Sequence, residues 1–517
     1  MSLTRDSLLE RLEHYTELGH AKRNAAFVRQ VSLACSCPVT SLAQAAGQAS
    51  NSPMADLMSL YRFVDNDKIP IRQLREIRSK VVLESVSAEE ELLIVHDVTQ
   101  LDYTRQNIKQ DRRLIGDHRG QGYEYFPCVA VESGSGRVVG VVHDTVVNKD
   151  GPDDRDVMDY HYEPLFADFS RKEKKRLCEN HRHQMAVHIQ GLSNRLKGRS
   201  VIHVADCEFD DIFILDRCVN NQTHFVIRSA ASRNVQTPNR AWIPAQALTS
   251  KQGGHLVEEG WVCVNLQRLI DHVPMQPYKV LALDSRSRVT DDVSAARFAN
   301  LSIGTCRLRL YRDAKRNQRY FRPPRPVDVS MVVIRELAIP PSGENSLCWV
   351  LLTTLPVETF AQMAHVGRIY ELRWKIEDFF RLLKSGYHIE FCRMDSADKI
   401  AKLLVALTLA SMVVLKLKAA VGLPAAGRLR PADYLRIKNA MSQLNNPEID
   451  LNLRLFAFVA KRGGWRARKT DPIGPAILMR GILVVLSTFD ALAQYSELLE
   501  EARRNPKALE NLFAYTC

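Results

Sequence analysis

The chain has 517 residues, 45% hydrophobic and 25% charged, a globular composition with room for two or three cored domains. Lys and Arg total 71 against 59 Asp and Glu, and the net charge of +12 favours a polyanionic partner. The longest apolar run, Leu403 to Leu415, falls short of the roughly 20 residues of a bilayer span, and MSLTRDSLLERLEHY lacks a charged-then-apolar leader. A membrane role is therefore excluded and a cytoplasmic location expected. Eleven cysteines without a spacing framework suit a reducing compartment and free thiols.

Residues 1 to about 75 read as short helices through AKRNAAFVRQ, SLAQAA and MADLMSLYRFVDN, with Ser52-Pro53 as a helix start. Cys35 and Cys37 lack zinc spacing and read as core. ELLIVHDVT is a short apolar run closing on Asp97, followed by a basic loop to about Glu124. YFPCVAVES and RVVGVVHDTVVN are β-rich runs joined by a hairpin signal at Gly134, Ser135 and Gly136, so three successive strands predict an antiparallel meander. A charged helical stretch at about 169–197 contains Cys178, His181, His183 and His188, a metal-like set without a second ligand pair, so no zinc site is expected there. SVIHVADCEFDD is a further strand closing on Asp206, followed by the helix-like DDIFILDRCV and the strand HFVIRSA. The order is β-β-β-α-β-α-β.

Residues 231–345 change character, with scattered Pro and Gly and β-like pieces at WVCVNLQRL, YKVLALDS, TCRLRLYR and VDVSMVVIREL, and read as a β-rich insertion. CWVLLTTLP then returns a strand to the main sheet. In the next stretch, YELRWKIEDFFRLLKSG, Tyr370, Arg373, Glu377 and Lys384 stand at offsets of 0, 3, 7 and 14. At about 100° per residue these four fall within roughly 60° of one helix face, with Trp374 and Arg381 beside them. Ile369, Leu372, Ile376, Phe379, Phe380 and Leu383 form the apolar back. A carboxylate between fixed cations and a phenol suits a site where metal and phosphate meet, although taken alone the segment also fits a solvated face with ion pairs. Beyond about 395 the chain is mostly helical, clearest at ILMRGILVVLSTFDALAQYSELL.

Basic residues cluster in three places: Arg105 to Arg119, Arg307 to Arg325 with Tyr311, Tyr320 and Phe321, and Lys461 to Lys469 with Trp465. Cations interleaved with aromatics suit a phosphate backbone with exposed bases, and a solvated surface is the alternative. Asp97 and Asp206 sit at the ends of apolar runs, where a rigid strand holds an acid at a sheet edge. With Glu377 on a helix packed on that sheet, three carboxylates could converge on Mg²⁺ or Mn²⁺, two such ions serving phosphoryl transfer. Either aspartate alone also fits a turn or helix cap. The β-β-β-α-β order places both acids where a ribonuclease H-like fold carries its metal ligands.

The chain resembles the bacterial cut-and-paste DDE transposases of the insertion sequence four family. Their Tyr-x2-Arg-x3-Glu-x6-Lys signature is matched without spacing error at Tyr370, Arg373, Glu377 and Lys384. HDVTQLDYT matches the first aspartate, and Asp206-Cys207-Glu208-Phe209-Asp210 matches the second, with Cys207 in place of the family's arginine. AKRNAAFVRQ, LYRFVDN, HFVIRSA and WVLLTTLPVET extend the likeness over about residues 15–395. The resemblance implies an α/β ribonuclease H-like core with a mixed sheet, a β-rich insertion at about 231–345, and helical N- and C-terminal regions. A DNA-binding module is expected over 1–75, the catalytic core over 76–395 and a dimerisation region over 396–517. It also implies Asp97, Asp206 and Glu377 as ligands of two Mg²⁺ ions, with Mn²⁺ as a substitute. Tyr370, Arg373, Lys384, Arg228 and Arg62 would contact DNA, and Trp349 and Trp374 would stack on bases, although Trp349 also fits a buried strand. The expected partners are double-stranded transposon ends, target DNA and a second copy of the chain, in a bacterial, nucleoid-associated setting. A nuclease without strand transfer and a catalytically silent repressor or inhibitor of transposition are the alternatives.

Overall fold

The computed structural model describes residues 5–36, 41–49, 52–153, 181–230, 232–239, 241, 243–248, 259–283, 297–311, 326–338 and 346–420, with 439–485 in part. Five helices come first: α1 (Arg5–Tyr15), α2 (Ala21–Ser36), α3 (Leu42–Ala49), α4 (Pro53–Val64) and α5 (Ile71–Glu84). Pro53 opens α4 from the N1 position, where its missing N–H costs nothing. The strands β1 (Leu92–His96), β2 (Thr99–Asp102), β3 (Arg113–Ile115), β4 (Gly120–Glu132), β5 (Val138–Asn148) and β6 (Gly151–Pro152) follow. The basic loop expected up to Glu124 thus contains β2 and β3, both paired antiparallel to β4. Next come α6 (His181–Ser193), β7 (Val201–Ala205), α7 (Ile212–Asn220) and β8 (His224–Arg228).

The insertion contributes β9 (Asn234–Thr237), β10 (Val262–Asn265), a short helix α8 (Leu266–Ile270), β11 (Gln276–Leu283), β12 (Arg297–Leu310) and β13 (Val327–Glu336), and β14 (Cys348–Thr353) follows. WVCVNLQRL is therefore not strand throughout. Asn265 accepts a hydrogen bond from the Gln267 N–H at 3.1 Å and caps α8, turning the chain out of the sheet. The chain continues through α9 (Phe360–Leu372), α10 (Lys375–Arg381), a π-helical turn (Leu382–Gly386), α11 (Ala397–Ala420) and α12 (Leu451–Arg462). Among the described residues no helix is long and apolar enough to cross a membrane. The C-terminal segment from 486 lies outside the described residues.

Among the described residues all fourteen strands join one sheet, with the main order β10-β9-β12-β13-β14-β8-β7-β1-β4-β5-β6. The insertion extends the central sheet rather than forming a second one. At its middle β1, β7 and β8 run parallel, flanked by antiparallel β4 and β5 on one side and antiparallel β14 on the other. This mixed sheet is the ribonuclease H-like arrangement. Side chains alternate across it as strand pleating demands: Val226, Leu351 and Val332 join the core that contains α2, α5, α9 and α11, while Phe225, Ile227, Leu352 and Met331 face α6 and α7. The N-terminal helices share that first core.

Gly136, at φ +67°, turns the β4–β5 hairpin, and a Cβ there would meet Leu372 at 2.8 Å. Its small size lets the hairpin tip lie directly under the end of α9. Arg75 and Arg78 of α5 reach into β5. Arg75 Nε donates to Asp144 Oδ1 at 2.6 Å and its Nη2 to Asp153 Oδ2 at 2.7 Å, while Arg78 Nη1 donates to Asp144 Oδ2 at 2.7 Å.

Candidate active site

β1 and β7 are adjacent and parallel, paired from Leu92 with Val201 to Val95 with Val204, and each ends one residue before an aspartate. Asp97 and Asp206 thereby emerge side by side at the carboxyl edge of the sheet, the usual place for a site in an open α/β sheet. Local hydrogen bonds fix both. The Val98 N–H donates to Asp97 Oδ1 at 2.8 Å, and the Cys207 N–H donates to Asp206 Oδ1 at 2.5 Å.

The third acid arrives on α9 and α10. Thr359 and Gln362 form a capping box that fixes the start of α9. The four signature residues do not share one regular helix. The α-helical pattern breaks at Arg373 and Trp374, where Arg373, Trp374, Ile376 and Glu377 N–H groups bond three residues back, at 3.1 to 3.4 Å. This overwound turn is followed by the wide π turn that contains Lys384.

Arg373 sits at the break, 4% exposed, and joins the acids. Its Nη1 lies 3.1 Å from Asp97 Oδ2 and 3.9 Å from Glu377 Oε1, and its Nη2 lies 3.7 Å from Asp206 Oδ2. One guanidinium thus touches carboxylates from β1, β7 and α10. Arg228, at the end of β8, closes the other side of Asp206 with Nε 2.6 Å from Oδ1, while its Nη2 donates to Cys207 Sγ at 3.5 Å. A cation therefore stands over Cys207, beside the position where the resembled family has arginine.

Burial pushes the Asp97 carboxyl up to about 6, and Glu377 and Asp206 push the same way, against Arg373 and the Val98 N–H. Three acids facing two arginines, with Arg373 the one that reaches Asp97, leave the site short of positive charge. All the donor atoms are oxygens, a set that suits Mg²⁺ or Mn²⁺.

The aromatic residues flank this cluster. Tyr370 is buried, its ring T-shaped against Trp349 at 5.4 Å. Burial, and then Asp206, raises its hydroxyl to about 12, so it stays protonated as a donor. Trp374 is 49% exposed, and the Arg373 guanidinium carbon lies 4.9 Å from its ring centroid.

Lys384 stands apart from this group, with Nζ donating to the Gln100 carbonyl at 2.5 Å and lying 3.3 Å from Glu390. Arg62 is exposed in the last turn of α4, and no contact that ties the cluster together reaches it. Of the basic clusters, Arg307 and Arg309 lie on β12, and Arg309 stacks over Trp261 at 4.4 Å. Residues 312–325 and 465–469 lie outside the described residues, as does Cys178. His188 is buried at the sheet, hydrogen bonded to Thr145 and Cys128.

The sheet order and the acids at its carboxyl edge define a ribonuclease H-like DDE core. The family model for the transposase DDE domain matches residues 179–413. That span, a little under half of the chain, takes in Asp206 and Glu377, with Asp97 upstream of it, and is similar to transposase DDE domains.

Proposed function

We propose that the protein is a transposase of the bacterial insertion sequence four type, with Asp97, Asp206 and Glu377 as the ligands of two Mg²⁺ ions. The observation that carries this reading is the single Arg373 guanidinium shared by carboxylates from three distant chain segments. Bound divalent ions would supply Lewis-acid polarisation of the attacked phosphate and of the attacking oxygen. Arg373 and Arg228, already beside the acids, would hold phosphate oxygens, and the protonated Tyr370 hydroxyl would donate to another. Trp374 offers an exposed face for an unstacked base, and Trp349, half-buried against Tyr370, a second stacking surface. Lys384 and Arg62 would contact DNA further from the reacting phosphate.

The reaction is a series of in-line displacements at phosphorus. Water frees a 3′ hydroxyl at each element end, and that hydroxyl attacks the opposite strand to give a hairpin. Water reopens the hairpin, and the 3′ ends then join target DNA. Two copies of the chain would synapse two ends, with the helices of 1–75 reading end sequence and residues 396–517 pairing the subunits.

The test is incubation of purified protein with pre-cut ends, target plasmid and Mg²⁺. Joined product is expected. Nicking without joining would instead assign a nuclease, and end binding without cleavage in Mg²⁺ or Mn²⁺ would assign a silent repressor.

A further inference from the structure

Behind Asp97, on the sheet face covered by α6, lies a second set of ligand-type side chains. His96, Cys128 and His188 are all buried, and their ligand atoms lie within 4.8 Å of one another. The sheet register explains the grouping. His96 on β1 pairs directly with Cys128 on β4, and Cys128 pairs with His143 on β5, so the three form a row across adjacent strands. His188 descends onto that row from α6.

The distances match metal ligation. Cys128 Sγ lies 3.5 Å from His96 Nδ1 and 3.2 Å from His188 Nδ1. With Zn–S near 2.3 Å and Zn–N near 2.0–2.1 Å, a tetrahedral ion spaces its sulfur and nitrogen ligands by about 3.6 Å. Both histidines turn the same nitrogen, Nδ1, toward the sulfur. Their Nε2 atoms are held from behind, His96 by His203 Nδ1 at 2.9 Å and His188 by Thr145 Oγ1 at 2.8 Å. Outer partners of this kind fix the tautomer and ring orientation of histidine ligands. His143, whose Nδ1 is buried without a hydrogen-bond partner, packs its ring T-shaped against His188 at 4.6 Å.

We propose that His96, Cys128 and His188 bind a structural Zn²⁺ ion, with His143 turning in as the fourth ligand. Binding replaces the Cys128 thiol proton, which leaves to solvent, and forms one Zn–S bond. Both Nδ1 lone pairs coordinate while each Nε2–H donates to His203 or Thr145. Thiolate and imidazole suit zinc, and the closed surroundings suit a structural rather than catalytic ion. The ion would tie β1, β4 and α6 together one residue from Asp97, in a site distinct from the all-oxygen DDE set.

The test uses full-length protein, stripped by chelator under reducing conditions and reloaded with Zn²⁺ or Co²⁺, with metal counted by mass spectrometry after desalting. One zinc per chain is expected, and the Co²⁺ form should show thiolate charge-transfer absorption with the visible bands of a tetrahedral ion. Cys128→Ser should abolish the charge-transfer band. Thr145→Val, which keeps shape and removes only the outer contact, should weaken zinc affinity roughly 10–100-fold. Asp97→Ala should leave zinc content and spectrum unchanged, which separates this site from the carboxylate one. Folded wild-type protein that retains no zinc, or a Co²⁺ spectrum without thiolate absorption, would overturn the proposal. So would metal lost with Asp97→Ala but kept with Cys128→Ser. If Cys128→Ser fails to fold, the wild-type spectrum decides.

Discussion

Two arginine–carboxylate clusters in this protein are built from the same residue types and differ in stoichiometry. Inside, Asp144 takes one hydrogen bond from Arg75 and two from Arg78, with Tyr125 donating a fourth at 2.9 Å. Burial alone would raise its carboxyl, yet the two guanidiniums hold it well below the usual carboxylate range. At the sheet edge two guanidiniums serve three acids, Arg228 reaching only Asp206, and Asp97 rises to about 6. Asp153 marks the boundary, since it has only Arg75, is buried beside Asp144, and also rises to about 6. Matched cations make a carboxylate structural, whereas a deficit leaves it able to accept a further cation.

The sharpest break of this comparison comes from removing acids. Alanine at Asp97, Asp206 or Glu377 should lower DNA cleavage at least ~10³-fold while leaving DNA binding in place, read by end-cleavage and gel-shift assays side by side. An equal loss of binding would mean that the acids hold the fold rather than the chemistry. Next in size, Asp144→Asn should cost about 3–5 kcal/mol in urea denaturation, because it leaves the buried Arg78 without its carboxylate, and Arg78→Ala somewhat less, because Asp144 keeps Arg75.

The same acid-for-amide exchange should have the opposite sign at the sheet edge. The folded-state pKa of Asp97, about 6, lies above its ordinary 3.8, so the folded protein favours the protonated form. Its contribution to stability is present below about pH 4 and lost as pH rises through about 6. Asp97→Asn should therefore stabilise the metal-free protein by roughly 1–3 kcal/mol at pH 8 and by almost nothing at pH 4. A flat difference between those two pH values would show that Arg373 already balances the cluster. The smallest stability effect is expected at Trp374, which is 49% exposed. Trp374→Ala should change stability by less than ~0.5 kcal/mol, yet weaken binding to ends with an unpaired base by about 1–3 kcal/mol.

What the sequence revealed follows from which signals are local. Apolar runs of five residues ending in an acid located β1, Asp97, β7 and Asp206, because a strand and its end are written in consecutive residues. The placement of Glu377 near them also emerged, since an amphipathic helix must turn its polar face away from the core. The break at Arg373 did not, because a fixed angle of about 100° per residue assumes regular winding. For the same reason regular winding sets Lys384 beside Glu377, while the π turn carries it to Gln100 and Glu390. Spacing alone sets His188 with its neighbours in sequence, whereas its partners Cys128 and Thr145 lie 60 and 43 residues away. Those contacts depend on strand register, as does the meeting of Arg78 with Asp144 across 66 residues. The extension of the central sheet by the insertion is a matter of edge pairing, which the β-rich pieces of 231–345 do not specify by themselves.

The π turn over Leu382–Gly386 gives the helix a place where its length and its phase can be changed separately. A π turn holds one residue more than the α-helical turn it replaces. Deleting a residue there would let the turn rewind as α-helix with the chain on both sides kept in phase, so Glu377 would stay in place and only residues inside the turn, Lys384 among them, would be repositioned. The grip of Lys384 on Gln100 would be lost without disturbing the carboxylates, so the placement of this lysine can change independently of the acid cluster.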